Sequence, residues 1–290
     1  MVQDKTMASR LFDFFNIFFL IIVSLLMLLP FLHVVMGSFT TAEEMARKPF
    51  VLFPTEFTLS AYQYILSTGT LFKALAVSIG VTAGGTLISM FLTSLMAYGL
   101  TRRDLDGRKT VNLMIVFTML FSGGLIPSFL VVKSMGLVDS YLAMILPSAI
   151  SAFNLIILRS FFQGLPDGLE ESAKIDGCGD FGILFKIVLP LSLPSLATIS
   201  LFYAVNYWNS YFSAIMYIND ASKWPIQVLL RQIVIAASGM AADTGNDFIK
   251  PPEQTIKMAV IVVSTLPILI VYPFLQKYFA KGALVGSVKG

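Results

Sequence analysis

Glu171-Ser172-Ala173, followed by Gly177 and then by Ile187-Val188-Leu189-Pro190, forms a polar break between long apolar stretches. These residues read as two short helices around a tight turn. Asp167 is placed to N-cap the first, with Glu170 completing a capping box and Gly177 supplying the left-handed C′ position that ends it. Asp180 is placed to cap the second, in which Phe181, Leu184, Phe185 and Val188 recur at i, i+3, i+4 and i+7 until Pro190 interrupts. That stripe needs a surface to bury it.

The flanking sequence decides the class of protein. A chain of 290 residues that is 56% hydrophobic and 13% charged is too apolar for an ordinary soluble domain and reads as an integral membrane protein. A crossing takes about 20 apolar residues. Stretches of that size fall at 11–36, 72–100, 111–132, 141–163, 191–218 and 256–276, predicting an all-α protein of six transmembrane helices with the polar break, 164–190, between the fourth and fifth. The first stretch exceeds a signal-peptide core and lacks a small-x-small cleavage site, so it should stay as a helix. We expect one domain over 1–290. Arg102, Arg103, Arg108 and Lys109 crowd the connector after the second span, whereas the next connector holds Lys133, so the first of these faces the cytoplasm. Both termini, Lys277, Lys281, Lys289 and the break then lie on the inner side. The segment 219–257, with Trp224-Pro225, Gly239, Gly245 and Pro251-Pro252, is too polar to cross and could meet an external partner.

Several chemistries are excluded. A net charge of +3 without a basic, aromatic-interleaved cluster gives no support to nucleic-acid binding. No Gly-x-x-x-x-Gly-Lys-Ser/Thr loop occurs to cradle phosphates, so any ATP must be hydrolysed elsewhere. His33 is the sole histidine and Cys178 the sole cysteine, which leaves no metal-ligand set and no catalytic triad. His33 reads as a packed or interfacial residue and Cys178 as a small, reduced packing residue. An ion-coupled carrier needs carboxylates within the bilayer, and Asp13 and Asp139 lie only at span edges.

The most polar part of any span is Asn206-Tyr207-Trp208-Asn209-Ser210-Tyr211-Phe212. Its amides can bond hydroxyls while Tyr207, Trp208 and Tyr211 offer flat faces, a mixture suited to a sugar's polar edges and CH faces. An aromatic belt with Asn residues joining helices is the competing reading. At 100° per residue, Asn206, Asn209 and Ser213 fall near one face. Gly84-Gly85 and Gly123-Gly124 are expected to allow close helix approach.

The order Glu-Ala-Ala, three residues, Gly, nine residues, Ile, one residue, Leu-Pro resembles the cytoplasmic loop of permease subunits from binding-protein-dependent ABC importers. Glu171, Ala173, Gly177, Ile187, Leu189 and Pro190 match it, and only Ser172 departs, as a small residue in an Ala position. The resemblance implies the type I importer permease fold, with a coupling helix seated in a groove of an ATPase subunit. It assigns that contact to Glu170, Glu171, Ser172, Ala173, Asp176, Gly177, Phe181, Phe185, Ile187, Leu189 and Pro190. It further implies a second six-helix permease, two ABC ATPases that hold ATP and Mg, an external solute-binding protein, and no cofactor or catalysis in this chain. The Trp208-Asn209 pair and the ending Tyr272-Pro273-Phe274-Leu275-Gln276-Lys277 through Gly290 are similar to maltose-type sugar permeases, especially the branch for polysaccharide fragments such as alginate oligosaccharides. The expected function is thus oligosaccharide import across the bacterial inner membrane. The alternatives are a permease for another small solute, an ion-coupled secondary carrier, or a membrane scaffold whose loop binds an ATPase for regulation.

Overall fold

The computed structural model describes residues 6–48, 50–67, 69–237 and 254–287, with the side chains of Ala8, Asp167, Ala236, Ala237 and 274–287 left undescribed. Gly239, Gly245, Pro251-Pro252 and Lys289 therefore lie outside the described residues. The described chain is helical and divides into two compact units, 1–69 with 230–266 and 70–229 with 267–290.

In the first unit, α1 (Met7–Gly37) is a long apolar rod whose side chains face outward along most of its length. A helix apolar all round belongs in lipid or against another subunit. It is followed by α2 (Ala42–Arg47) and α3 (Ser60–Ser67). His33 is a packing residue: its Nδ1 accepts from the Val51 N–H at 3.1 Å and its ring stacks on Phe50. On α2, the Glu44 carboxylate gathers Thr55 Oγ1, Lys48 Nζ and the backbone N–H groups of Thr55 and Glu56. The Thr55 hydroxyl above all, with the Lys48 ammonium and these N–H donors, holds that carboxyl down at about 2, against an ordinary 4.5. A carboxyl lowered by folding stabilises fully above its unfolded value and ceases to do so as pH falls through the folded one. We therefore expect the 42–57 segment to keep its hydrogen-exchange protection at pH 5 and lose it between pH 4.5 and 2. Glu44→Gln should remove much of that protection already at pH 7, and exchange read by mass spectrometry checks both.

The second unit is built on α4 (Thr70–Thr101), which packs against α8 (Ala152–Gln163) and α12 (Leu193–Trp208). The buried face of α4 carries Ala74, Ser78, Gly85, Ser89, Thr93 and Ala97, small residues at helical spacing that let the partner helices approach. Gly85 meets the Tyr207 ring, whereas a Cβ on Gly84 would meet nothing within 4 Å. The helix-approach expectation thus holds for Gly85 and fails for Gly84, which faces the other side of the helix.

Three of the expected spans are broken. α5 (Arg108–Leu120) and α6 (Leu125–Ser134) meet at 120°, and the expected helix-packing pair Gly123-Gly124 lies in the bend, with Gly124 at φ +84°. Their role is conformational, since a left-handed residue is what the reversal requires. α7 (Tyr141–Ile145), with a 3₁₀ turn at Leu146–Ser148, meets α8 at 55°. The loop helices α9 (Asp167–Ile175), α10 (Asp180–Ile183), a π-turn at Leu184–Val188 and α11 (Leu189–Leu191) lead into α12. The stretch from α10 to α11 meets α12 at 87°. The fifth span also ends early. α12 stops at Trp208, Asn209 and Ser210 form a turn, and α13 (Tyr211–Tyr217) resumes. A 3₁₀ turn at Ala221–Lys223 precedes α14 (Ile226–Ala237) and α15 (Gln254–Ser287). Among the described residues, three long helices and three bent pairs are long and apolar enough for up to six crossings when each pair counts as one.

Breaks inside a bilayer are tolerated only where the freed backbone groups find partners. Two tyrosines of α12 provide them at the break before α8. The Tyr207 hydroxyl donates to the Ile145 carbonyl at 3.2 Å and takes a proton from Ser89 Oγ at 2.8 Å. The Tyr203 hydroxyl accepts from the Ser151 N–H at 2.9 Å and shares a hydrogen bond with Thr93 Oγ1 at 2.7 Å.

Candidate functional site

The loop 164–190 is anchored on one side and bare on the other. Ala173, Ile183, Leu184 and Val188 enter the core cluster that contains Tyr98, Leu158 and Phe162. Ile187 and Leu189 pack partly against the same cluster. Glu171, Ser172, Asp176, Gly177, Phe181, Phe185 and Pro190 are exposed. The Phe181/Leu184/Phe185/Val188 stripe accordingly splits: Phe181 stays 71% exposed and Ile183 takes the buried place. From Leu184 to Val188 the helix is a π-turn, whose i→i+5 bonding departs from the 3.6-residue period on which the stripe is drawn.

Gly177 ends α9 as its position demands. It stands at φ +78°, with Cys178 N bonded to Ala173 O and Gly177 N to Lys174 O, the paired bonds of a Schellman cap. Ser172 turns its hydroxyl onto the Gly168 carbonyl at 2.8 Å, so the departure from Ala is satisfied within the helix. Cys178 is a free thiol whose sulfur lies where a Cβ of Gly182 would fall, as a packing residue should.

The start of α9 corrects the capping-box expectation. The cap position belongs to Pro166, which has no N–H for a box to close on, and Asp167 is the first helical residue. Glu170 turns instead to Arg102, with Nη1 to Oε2 at 2.7 Å. Asp180 likewise follows a Gly179 cap, and its carboxylate lies 3.6 Å from Arg102 Nη2. Arg102 is the post to which both loop helices are tied: 13% exposed, it also meets Asp104 at 3.4 Å and lies over the Tyr98 ring. Arg108 Nη1 donates to the Thr101 and Arg102 carbonyls, closing the end of α4. Between α4 and the loop lies a cavity of about 540 Å³ lined by Arg102, Arg103, Glu170, Glu171, Lys174 and apolar neighbours. Sequence reasoning used Arg102 only for orientation and missed it as an anchor, because its partners are 68 and 78 residues away.

The exposed residues of the loop mix apolar and charged side chains. Ile175 is 87% exposed and Phe181 and Phe185 are exposed too, with Glu171, Lys174 and Asp176 close to Ile175 in sequence. Ile175 was another residue that sequence reasoning passed over, since it belongs to no regular stripe.

The residues expected along a transport path fall into two groups. Tyr207 and Trp208 are buried in the chain's own core, and Tyr207 holds the helix break described above, so its hydroxyl is a structural tie. Asn206 and Asn209 are exposed, Asn209 Nδ2 donating to Val205 O, and Tyr211 is half-buried against the core. The common face expected for Asn206, Asn209 and Ser213 is interrupted because the helix stops at Trp208. Asn206 instead joins Ser148, Ser151, Asn154 and aromatic residues around a groove of about 440 Å³.

At the far end of the same unit, Asp139 adopts φ +65° and accepts from Asn219 N, Asp220 N and Lys223 Nζ. Lys223, then Asp220, lower its carboxyl below the usual range, as befits a lock between two connectors rather than an ion relay.

A helical loop tied to a broken-span core is a shape shared with known transport proteins. The chain is 65% identical over 286 residues to the polygalacturonan/rhamnogalacturonan transport system permease protein YtcP of Bacillus subtilis, covering 98% of this chain and 100% of that protein. It is 54% identical over 290 residues to Protein LplC of the same organism, covering 99% and 98%. A chain in the crystal structure of a bacterial ABC transporter involved in the import of the acidic polysaccharide alginate superposes with a TM-score of 0.85 at 32% identity, over 94% of this chain and 98% of that one. The model of the binding-protein-dependent transport system inner membrane component matches residues 6–285, and with the six crossings and the anchored loop this places the chain in that family of multi-pass transport permeases.

Proposed function

We propose that this permease imports oligosaccharides, with polysaccharide fragments of the polygalacturonan or alginate kind as its substrate class, and that it supplies half of a membrane channel while partner subunits supply the energy. The observation that carries the coupling role is the bare face of the loop: Ile175, Phe181 and Phe185 lie open on helices that Arg102 fixes to α4. Exposed apolar side chains interspersed with Glu171, Lys174 and Asp176 suit a protein groove better than lipid, in the helix-in-groove manner. The partner is an ABC ATPase, one of two, where ATP and Mg bind. A second six-helix permease and an external binding protein complete the importer. The arginine-rich connector supports a cytoplasmic position for the loop and both termini.

In this mechanism the chain performs no bond-making step. ATP closes the ATPase pair, the seated loop moves with it, and the Arg102 ties pass the movement to α4 and α12. The nucleotide shifts the permease only through contacts that differ between its two states. Broken spans supply places where segments can turn without unravelling a whole helix.

The test is a tagged pull-down in mild detergent with mass spectrometry of the retained chains. The expected result is an ATPase, a second permease and a sugar-type binding protein. Phe181→Ser should reduce ATPase recovery roughly tenfold or more, since a buried Phe contributes about 1.5–3 kcal/mol. Recovery of the folded chain alone, or full ATPase recovery with Phe181→Ser and Ile175→Ser together, would sink the coupling assignment.

A further inference from the structure

Arg159 is a cation set within a membrane span without a countercharge. It stands on α8 four residues before Gln163, about 6 Å along the helix from the loop-side end. Its Nη1 donates to Asn112 Oδ1, and Asn112 Nδ2 donates in turn to the Arg108 carbonyl at 2.8 Å. Asn112 lies four residues into α5, again about 6 Å from the loop-side end, so the two packed helices hold the pair at one level. The Nε of Arg159 is buried with no hydrogen-bond partner, and among the described residues no carboxylate comes within ion-pair distance of this guanidinium. Asp104, on the neighbouring connector, is engaged by Arg102. A guanidinium has five donors and does not shed its proton, so at this depth it calls for an anion.

The surface beside it narrows the choice of anion. Lys109, Leu113, Val116 and Leu120 recur at i, i+4, i+7 and i+11 along α5, and all four are exposed. One stripe therefore starts with an ammonium on the loop side and continues as apolar side chains into the bilayer. The Lys109 side chain has no partner among the described residues. Asn112, which the Arg159 guanidinium meets, follows Lys109 by three residues and is its neighbour on the helix surface. Two cations thus flank the head of an apolar stripe. A phospholipid carries the matching pair of features, an anionic head and an apolar tail, whereas a small anion would leave the stripe uncovered.

We infer that α5 and α8 bind an anionic phospholipid in the leaflet on the side of the loop 164–190, with Arg159 and Lys109 on the headgroup phosphate and an acyl chain along Leu113, Val116 and Leu120. Arginine suits the deeper position because its planar fork makes two parallel bonds to phosphate oxygens. Basic pockets between membrane helices recognise headgroups in this manner. A choline headgroup would bring a further cation to the two already present, so the site selects for net negative charge. The bound lipid braces α5 against the end of α8 that leads into the loop. It does so whatever solute the permease carries, so the site stands apart from the oligosaccharide reading.

The test uses the full chain purified in mild detergent with the subunits that accompany it, delipidated and then titrated with phosphatidylglycerol or phosphatidylcholine of the same acyl chains. Native mass spectrometry counts the lipid retained. The expected result is a first phosphatidylglycerol bound at least about tenfold more tightly than phosphatidylcholine, the factor that one hydrogen bond to a charged group confers. Arg159→Gln should remove that preference and Arg159→Lys should keep part of it. Lys109→Gln should weaken it about two- to fivefold, as the loss of an exposed ion pair does. Because Lys109 is exposed and unbonded, that variant keeps the site testable should Arg159→Gln fail to accumulate. Equal binding of the two lipids by the wild type, the outcome if a carboxylate of the second permease covers Arg159, overturns the site. A preference that survives both glutamine substitutions overturns it too. Displacement of the bound lipid by an equal concentration of galacturonate tetramer overturns the lipid as occupant in favour of the solute's carboxylates.

Discussion

Gly177→Val should abolish ATP-driven uptake while leaving the amount of permease in the membrane unchanged, and Gly177→Asn should retain most of it. The two substitutions separate backbone conformation from space. Nothing lies within 4 Å of a Cβ built at Gly177, so neither side chain is excluded by a neighbour. What both must accept is φ +78°, which costs an ordinary L-residue about 1–2 kcal/mol, a β-branched one more, and Asn much less. In Val the strain is relieved by surrendering the Schellman bonds from Gly177 and Cys178 to α9, which frees the end of the helix carrying Glu171 and Ile175. The damage stays local because Ala173, Ile183 and Leu184 still hold the loop to the core. Uptake in vesicles, set against membrane abundance by immunoblot, measures both quantities. Equal uptake by wild type and Gly177→Val would show that the turn is not part of energy transfer.

That turn was legible in the sequence because everything defining it is local: a glycine, a short helix before it and a polar setting. The six apolar stretches were legible for the same reason, since length and hydropathy are properties of a segment. The breaks inside them were not. Gly123-Gly124 looks the same in a sequence whether it packs a helix or reverses the chain, and only the neighbouring helices decide. The Phe181–Val188 stripe runs into a π-turn at Leu184–Val188 and leaves Phe181 exposed while Ile183, Leu184 and Val188 are buried, a pattern that a 3.6-residue period read along the chain does not follow. Glu170 satisfied a local capping pattern on paper, yet a guanidinium from α4 offers a charged partner and Pro166 withdraws the N–H that the local pattern needs. The same competition explains the candidate path. Tyr207 has the composition of a sugar contact, but the carbonyl of Ile145 at a helix break claims its hydroxyl.

The close approach of α4 and α12 predicts a large loss of stability from a single methyl group. A Cβ on Gly85 would lie 2.8 Å from Tyr207 Cε2 and 2.9 Å from Cδ2. The ring cannot step aside freely: Tyr207 is 1% exposed, and its hydroxyl is held by Ser89 on the same helix and by Ile145 across the break. Gly85→Ala must therefore part the two helices or sacrifice those bonds, at a cost of about 1–3 kcal/mol for overpacking. Gly85→Leu should not accumulate as folded protein. One residue earlier, Gly84→Ala meets no atom within 4 Å and should be neutral or slightly stabilising, since Ala is the better helix former. Tyr207→Phe tests the other half of the contact, relieving no crowding while leaving Ser89 Oγ and the Ile145 carbonyl unpaired, for a loss of about 1–3 kcal/mol. If Gly85 acts only through the position of the ring, Tyr207→Leu should partly rescue Gly85→Ala, because a flexible side chain vacates the space that the tethered ring occupies. Thermal melts of the detergent-solubilised protein, followed by size-exclusion chromatography, rank the variants. A Gly84→Ala melt as low as that of Gly85→Ala would locate the sensitivity in the glycine pair itself and remove the helix contact as its cause.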